Sequence, residues 1–270
     1  MSTRSTVLAA SLLFLVSGLA AQEDSNEWLA QCRHDWGDRP RVCVVRETGF
    51  RPASGTLTID PSENGGVAVY GWDRDSIGVV VKIEAQARTE DAARAVVDGI
   101  QIEAAGQRIT ARGPDTTSPE SWAVSFDVYV PRHADLALQT VNGPLSVEDV
   151  TGTMQLRAIN GPISLRAVGG DVTARVQNGP LTVDLTGTRW DGSRLDAEAQ
   201  NGPVSLAIPD RYNANLETGT VNGPMNIDFP LTVTIQGRMT NRIRTTLGDG
   251  GSPVRVVTTN GPITIHRSRS

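Results

Sequence analysis

Asn142-Gly143-Pro144-Leu145-Ser146-Val147, Asn160-Gly161-Pro162-Ile163-Ser164-Leu165 and Asn178-Gly179-Pro180-Leu181-Thr182-Val183 are one phrase repeated at steps of 18 residues. The Asn-Gly-Pro triplet returns at Asn201, Asn222 and Asn260, after steps of 23, 21 and 38. Self-similarity at such a period marks an array of stacked units. The last step equals two of 19, with Asn241 at the midpoint; Arg242 and Ile243 break the triplet there, so that rung reads as degenerate or coincidental.

Alignment on the asparagine shows why the copies stack. Three residues on lie Leu145, Ile163, Leu181, Val204, Met225 and Ile263, and five on lie Val147, Leu165, Val183, Leu206, Ile227 and Ile265. Between them stand Ser146, Ser164, Thr182, Ser205, Asn226 and Thr264. Apolar–polar–apolar alternation buries one face of a strand. The strand before each triplet alternates too, from Leu136, Met154 and Val172 toward smaller residues such as Thr140, Ala158 and Ala199. The same alternation points the asparagines (Asn142, Asn160, Asn178, Asn201, Asn222, Asn260) inward, where a ladder of side-chain amides satisfies them.

Each copy therefore reads as strand, Asn-Gly corner, strand, second corner, the second corners being Val150-Thr151-Gly152 and Val168-Gly169-Gly170. Asn and Gly tolerate the backbone a sharp corner needs, and proline at a strand start gives up a donor that pairing can spare. Parallel stacking puts like on like at ~4.8 Å. The fold class is all-β: a parallel β-solenoid, right-handed by the usual rule for parallel crossovers, with one short helix in the N-terminal half. An antiparallel meander competes, because Asn-Gly is a hairpin signal, but a meander would not stack like on like.

Composition agrees. Aromatics are 4% and glycines number 27, which suits short strands and tight turns. At the N-terminus, Arg4, the apolar run Val7–Val16 and the small residues Ser17–Ala21 read as a signal peptide cleaved after Ala20 or Ala21. The uncharged stretch Ser5–Gln22 is 18 residues, interrupted by Ser17 and Gly18, and a spanning helix needs about 20 apolar residues. No later segment reads as a membrane helix. Losing Arg4 with residues 1–21 moves the formal charge from −5 to −6, which disfavours nucleic acid and anionic lipid. Export makes Cys32 and Cys43 a disulfide pair, and so short a loop contributes about 2–3 kcal/mol.

The expected organisation is signal peptide 1–21, an N-terminal disulfide segment 22–54, a β-rich part 55–135 with a helix over 89–98, the repeat solenoid 136–266, and a tail 267–270. Thr89 is the helix N-cap and Gly99 its stop. Trp28, Trp36, Trp72 and Trp122 lie outside the repeats and are expected to cover the open N-terminal end.

The Asn-Gly-Pro-[Leu/Ile/Val]-x-[Val/Leu/Ile] copies resemble the bacterial "putative adhesin" β-strand-repeat family, a domain of unknown function in exported proteins. Asn64-Gly65-Gly66 through Asp73, Val130-Pro131, Trp190-Asp191-Gly192 and Gly248-Asp249-Gly250-Gly251 fit as well, so the resemblance runs from about Val44 to Ile265. Met225 departs slightly from the pattern. The resemblance implies a β-solenoid at the cell envelope and supplies no catalytic residues.

A search for chemistry finds no HExxH, GxSxG, SxxK or P-loop, so no catalytic residue, metal or cofactor is assigned. His34, His133 and His266 are isolated. Asp171, Asp184, Asp191 and Asp196, with Arg175 and Arg194, would have to cluster for a polysaccharide lyase or hydrolase; the plainer reading is surface acids. The row Ser146, Ser164, Thr182, Ser205, Asn226 and Thr264 is the candidate binding face, suited to a repetitive ligand, or else an ordinary solvated strand face. The expectation is a non-enzymatic exported envelope protein, in the periplasm or on the surface of a bacterium, with an adhesin-like surface for a protein or glycan partner. The alternatives are a polysaccharide-active β-helix enzyme and a structural or sensing component of the envelope.

Overall fold

The computed structural model describes residues 19–34, 39–230 and 241–268. Residues 1–18 of the expected signal peptide and Trp36 lie outside the described residues. The chain runs through α1 (Leu19–His34), β1 (Arg41–Phe50), β2 (Leu57–Asp60), β3 (Val67–Trp72), β4 (Ile77–Gln86), α2 (Glu90–Asp98), β5 (Gln101–Ala105), β6 (Arg108–Arg112) and β7 (Ser121–Pro131). The repeats follow as β8 (Leu136–Asn142), β9 (Leu145–Glu148), β10 (Thr151–Asn160), β11 (Ile163–Arg166), β12 (Gly169–Asn178), β13 (Leu181–Asp184), β14 (Arg194–Asn201), β15 (Val204–Ile208), β16 (Ala214–Asn222) and β17 (Met225–Asp228). The chain closes with β18 (Arg242–Leu247), β19 (Pro253–Asn260) and β20 (Ile263–Arg267).

Two ten-stranded sheets result. Sheet A has the order β1-β4-β7-β3-β9-β11-β13-β15-β20-β17, and sheet B the order β18-β16-β19-β14-β12-β10-β8-β2-β6-β5. The repeat strands pair in parallel, like on like: Ile163 lies between Leu145 and Leu181, and Ala174 between Leu156 and Ala197. This is a β-solenoid with a thin aliphatic interior, and the meander is excluded. Among the described residues antiparallel pairs occur only toward the ends, β1–β4, β4–β7, β5–β6 and β16–β18.

The spatial order of rungs departs from chain order at both ends. Along the stack the rungs run β6–β7, β2–β3, β8–β9, β10–β11, β12–β13, β14–β15, β19–β20, β16–β17. The rung β2–β3 is inserted between β6–β7 and β8–β9, and β19–β20 between β14–β15 and β16–β17. Both sheets thus continue across residue 135, because β2 and β3 pair directly with β8 and β9. The expected step of two rungs between Asn222 and Asn260 is corrected: β16 and β19 are adjacent, with Asn222 opposite Asn260. Asn241 is no rung; its amide reaches the Gly223 carbonyl at 3.4 Å.

The chain bypasses each inserted rung in a short connection. Residues 209–213 skip one rung, a span of about 9.6 Å, which five residues reach readily. An ion pair lies at each crossing. Arg132 in the first connection bonds Asp73, just past β3, at 2.7 Å. Asp210 in the second lies 3.7 Å from Arg267 at the end of β20.

α2 forms where expected. Thr89 Oγ1 accepts from Ala92 N at 3.2 Å, and Gly99 caps the other end. Its buried Ala93, Val96 and Val97 pack toward β4 and β1, so α2 covers the N-terminal end of the core. The tryptophans do less of this than expected. Trp122 packs on the core with its indole N–H on the Pro114 carbonyl at 3.0 Å, whereas Trp72 lies on the outer side of β3 and Trp28 in α1. α1 itself corrects the expectation of a single helix. It carries no marked apolar stripe for periodicity to detect, and it is joined to β1 by the Cys32–Cys43 disulfide, with Cα atoms 6.4 Å apart.

Candidate functional site

The surface features derive from the Asn-Gly-Pro corner. Gly161 N donates to Asn178 O at 3.0 Å and Ile163 N to Pro180 O at 3.0 Å; Gly179 N donates to Asn201 O at 2.9 Å and Leu181 N to Pro203 O at 3.0 Å. The proline between them falls on the residue whose N–H the parallel ladder does not use, so its missing donor costs nothing. The glycine is required by close approach. A Cβ on Gly161, Gly179, Gly202 or Gly261 would meet the carbonyl oxygen of the neighbouring rung's glycine at 2.0–2.3 Å.

The asparagine amides form a continuous ladder. Asn160 donates to Asn142 at 3.0 Å, Asn178 to Asn160 at 2.9 Å, and Asn201 to Asn178 at 3.0 Å. Asn260 donates to Asn201 and Asn222 to Asn260, each at 2.8 Å. Asn142 reaches Asn64 Oδ1 at 3.2 Å, so the corner at Asn64-Gly65-Gly66 extends the ladder by one rung. The inward orientation expected of these residues is corrected: all six repeat asparagines are exposed. The last inward position is two residues earlier, at Thr140, Ala158 and Val176; beyond it the chain turns the corner and alternation stops applying. Inward threonines serve the corners instead, with Thr258 Oγ1 donating to Gly202 O at 3.0 Å and Thr220 Oγ1 to Gly261 O at 2.9 Å.

On the outside of sheet A the hydroxyl row stacks in the order Ser146, Ser164, Thr182, Ser205, Thr264, Asn226. The inserted rung places Thr264 before Asn226. Ser205 Oγ lies 3.1 Å from His266 Nε2. Beside this row run Glu148, Arg166 and Asp184, with Arg166 paired to Glu148. Aromatic side chains from outside the repeats come to the same face. Tyr70 and Tyr129 stack at 5.4 Å, Trp72 lies 5.5 Å from Tyr129, and the Arg74 guanidinium sits 4.7 Å over Trp72. Half-burial, with Asp127 and Tyr70 nearby, pushes the Tyr129 hydroxyl up to about 12. Sequence reading missed this group because β3 and β7 carry no Asn-Gly-Pro triplet.

The four aspartates do not converge. Asp184 is on sheet A and Asp191 at a second corner. Asp171 and Asp196 are on the outside of sheet B, on adjacent strands. Asp171 pairs with Arg194 at 2.8 Å, and Asp196 with Arg175 at 2.6 Å and Arg255 at 2.7 Å. Burial alone would raise the Asp196 carboxyl, but the hydrogen bonds from Arg175 and Arg255 outweigh it and hold it below its ordinary value. It is therefore an ionised structural partner, unsuited to donate a proton. Among the described residues no group of three His, Cys, Asp or Glu is placed to hold a metal ion, and no helix is long and apolar enough to cross a membrane.

Stacked Asn-Gly-Pro rungs in two facing parallel sheets define a repeat-built β-solenoid. The family described as Toastrack DUF4097, a domain of unknown function, matches residues 94–266, and the chain belongs to it. No curated protein matches the chain. Among solved structures, a "putative cell adhesion protein" from Clostridium sporogenes is similar at 10% identity and a TM-score of 0.41, over 84% of this chain and 100% of that one. A "putative adhesin" from Bacteroides fragilis has 10% identity and a TM-score of 0.35, over 84% and 97%. A "putative lipid binding protein" from Parabacteroides distasonis has 10% identity and a TM-score of 0.29, over 83% and 96%. Those names describe those proteins.

Proposed function

We propose that the chain is a non-enzymatic, adhesin-like envelope protein, exported to the periplasm or cell surface, that presents a rigid β-surface to a protein or glycan partner. The observation that carries this reading is the surface itself. The amide ladder and the glycine corners fix each rung on the next, so polar side chains repeat along the outer faces at ~4.8 Å intervals on a scaffold with little freedom to move. Such a surface meets an extended partner without an ordering cost of its own. The scattered and ion-paired aspartates fit a binding role better than hydrolysis, which needs two carboxyl groups across one bond.

The test is retention of purified residues 22–270 on envelope fractions and glycan arrays. Specific retention, weakened when Ser164 and Thr182 are replaced by bulky residues, is the expected result. Release of reducing ends from a polysaccharide panel, abolished by Asp184→Ala or Asp191→Ala, would replace this reading with an enzymatic one.

A further inference from the structure

The outside of sheet B divides into two chemically different halves. Toward the C-terminal end its charges satisfy one another. Asp196 bonds Arg175 and Arg255, Arg255 also meets Glu198 at 3.0 Å, and Glu217 bonds Arg244 at 3.0 Å. Toward the N-terminal end, β8, β10 and β12 floor a trough with a volume of about 770 Å³. Arg175 and Glu198 line it while engaged with Asp196 and Arg255. Gln155, Arg157, Thr173, Gln177 and Gln200 line the rest. These five side chains make no hydrogen bond or ion pair with another described residue.

Arg157 is the distinctive member. It is exposed, and it stands in register between Gln139 and Arg175. Both neighbours are engaged elsewhere, Gln139 with Asp60 and Arg175 with Asp196. The Arg157 guanidinium therefore has no ion-pair partner among the described residues, in a concave site whose one carboxylate, Glu198, is held by Arg255 at 3.0 Å.

We propose that this trough binds an extended acidic glycan, with Arg157 holding a carboxylate and Gln155, Gln177 and Gln200 holding hydroxyls. This deepens the envelope reading above and rests on it. A guanidinium pairs with carboxylate through two parallel hydrogen bonds. Side-chain amides both donate and accept, as sugar hydroxyls do. A peptide is bound by strand addition at a free edge, by side-chain pockets, or, when acidic, by a cluster of arginines, and among the described residues Arg157 is the one unpaired arginine in the trough. β8, β10 and β12 are each paired on both sides, and Leu138, Leu156 and Val176 are buried, so the trough offers neither edge nor pockets.

The test is a titration of isotope-labelled protein, residues 22–270, with tetragalacturonate, its neutral methyl ester and hexaglutamate, followed by backbone amide shifts. The expected result is saturable shifts in β8, β10 and β12 with the acid sugar. Affinity should fall about tenfold or more in Arg157→Gln, and fall again with added salt. Arg94→Gln, which removes an exposed charge on α2 outside the trough, should bind as the parent does. Absent shifts, equal affinity in Arg157→Gln, or equal binding of hexaglutamate would each overturn the proposal. If the parent protein ignored the sugar yet was still retained by envelope fractions, the acidic-glycan assignment alone would fall.

Discussion

Asn260 donates its side-chain amide to Asn201 Oδ1 at 2.8 Å across 59 residues of sequence. Asn222, the next copy after Asn201 in the chain, bonds Asn260 instead. The final rung of the sequence is thus the penultimate rung of the stack, held between two others. β2–β3 occupies the mirror position at the opposite end, so neither chain-terminal rung can peel away singly.

Removal of residues 253–270 should therefore cost more than one rung. Simple end-trimming would leave β16–β17 on the body. Here the deletion opens a gap between β14–β15 and β16–β17 and strips β16 of its parallel partner. Hydrogen exchange should show amides of 216–222 losing protection together, while those of 154–158 keep it. Retained protection at 216–222 would contradict the inserted order.

Gly179→Ala should destabilise far more than Asn178→Ala. The first drives a Cβ to 2.3 Å from the Gly161 carbonyl oxygen, a clash with backbone on both rungs, and roughly 3 kcal/mol is expected. The second removes two amide bonds at an exposed position where water substitutes, for about 1 kcal/mol. Urea denaturation of the two variants checks the order.

Thr218 is the one buried side-chain oxygen without a partner among the described residues. It continues a column of Ala174, Ala197 and Val256. Thr218→Val should stabilise by about 1 kcal/mol, because it keeps the shape and removes an unsatisfied hydroxyl. A higher thermal midpoint is the readout.

Asp196 predicts an acid limb to stability. Its carboxyl is held below the ordinary value in the folded protein, so its contribution is present above the unfolded carboxylate pKa of about 3.9. The contribution is lost as pH falls through and below that value. Asp196→Asn should flatten the decline of thermal midpoint with acid. Tyr129 acts at the other extreme. Its hydroxyl is raised to about 12, so the unfolded chain ionises first and stability falls as pH rises from about 10. Tyr129→Phe should lessen that fall.

Much of the architecture was legible in the sequence. Leu145, Ile163 and Leu181 recur two residues before Val147, Leu165 and Val183 with a polar residue between, and that alternation fixes which side of each strand is inside. The second strand face, the corner composition and the helix bounded by Thr89 and Gly99 follow from equally local rules. The aromatic group of Tyr70, Trp72 and Tyr129 was not legible, since two strands far apart in sequence bring it together.

By itself, then, the sequence determined what a rung is: its inner face, its corners and its ability to lie on a copy of itself. Only the tertiary structure decided which rung lies on which, and which outer groups remain free. The reason is that all copies present similar inner residues, so the Asn201 corner could receive Asn222 as readily as the Asn260 it does receive, and local chemistry cannot order them. The choice rests on connections and end packing. The same choice brings Arg255, on the inserted strand β19, against Asp196 and Glu198 of β14.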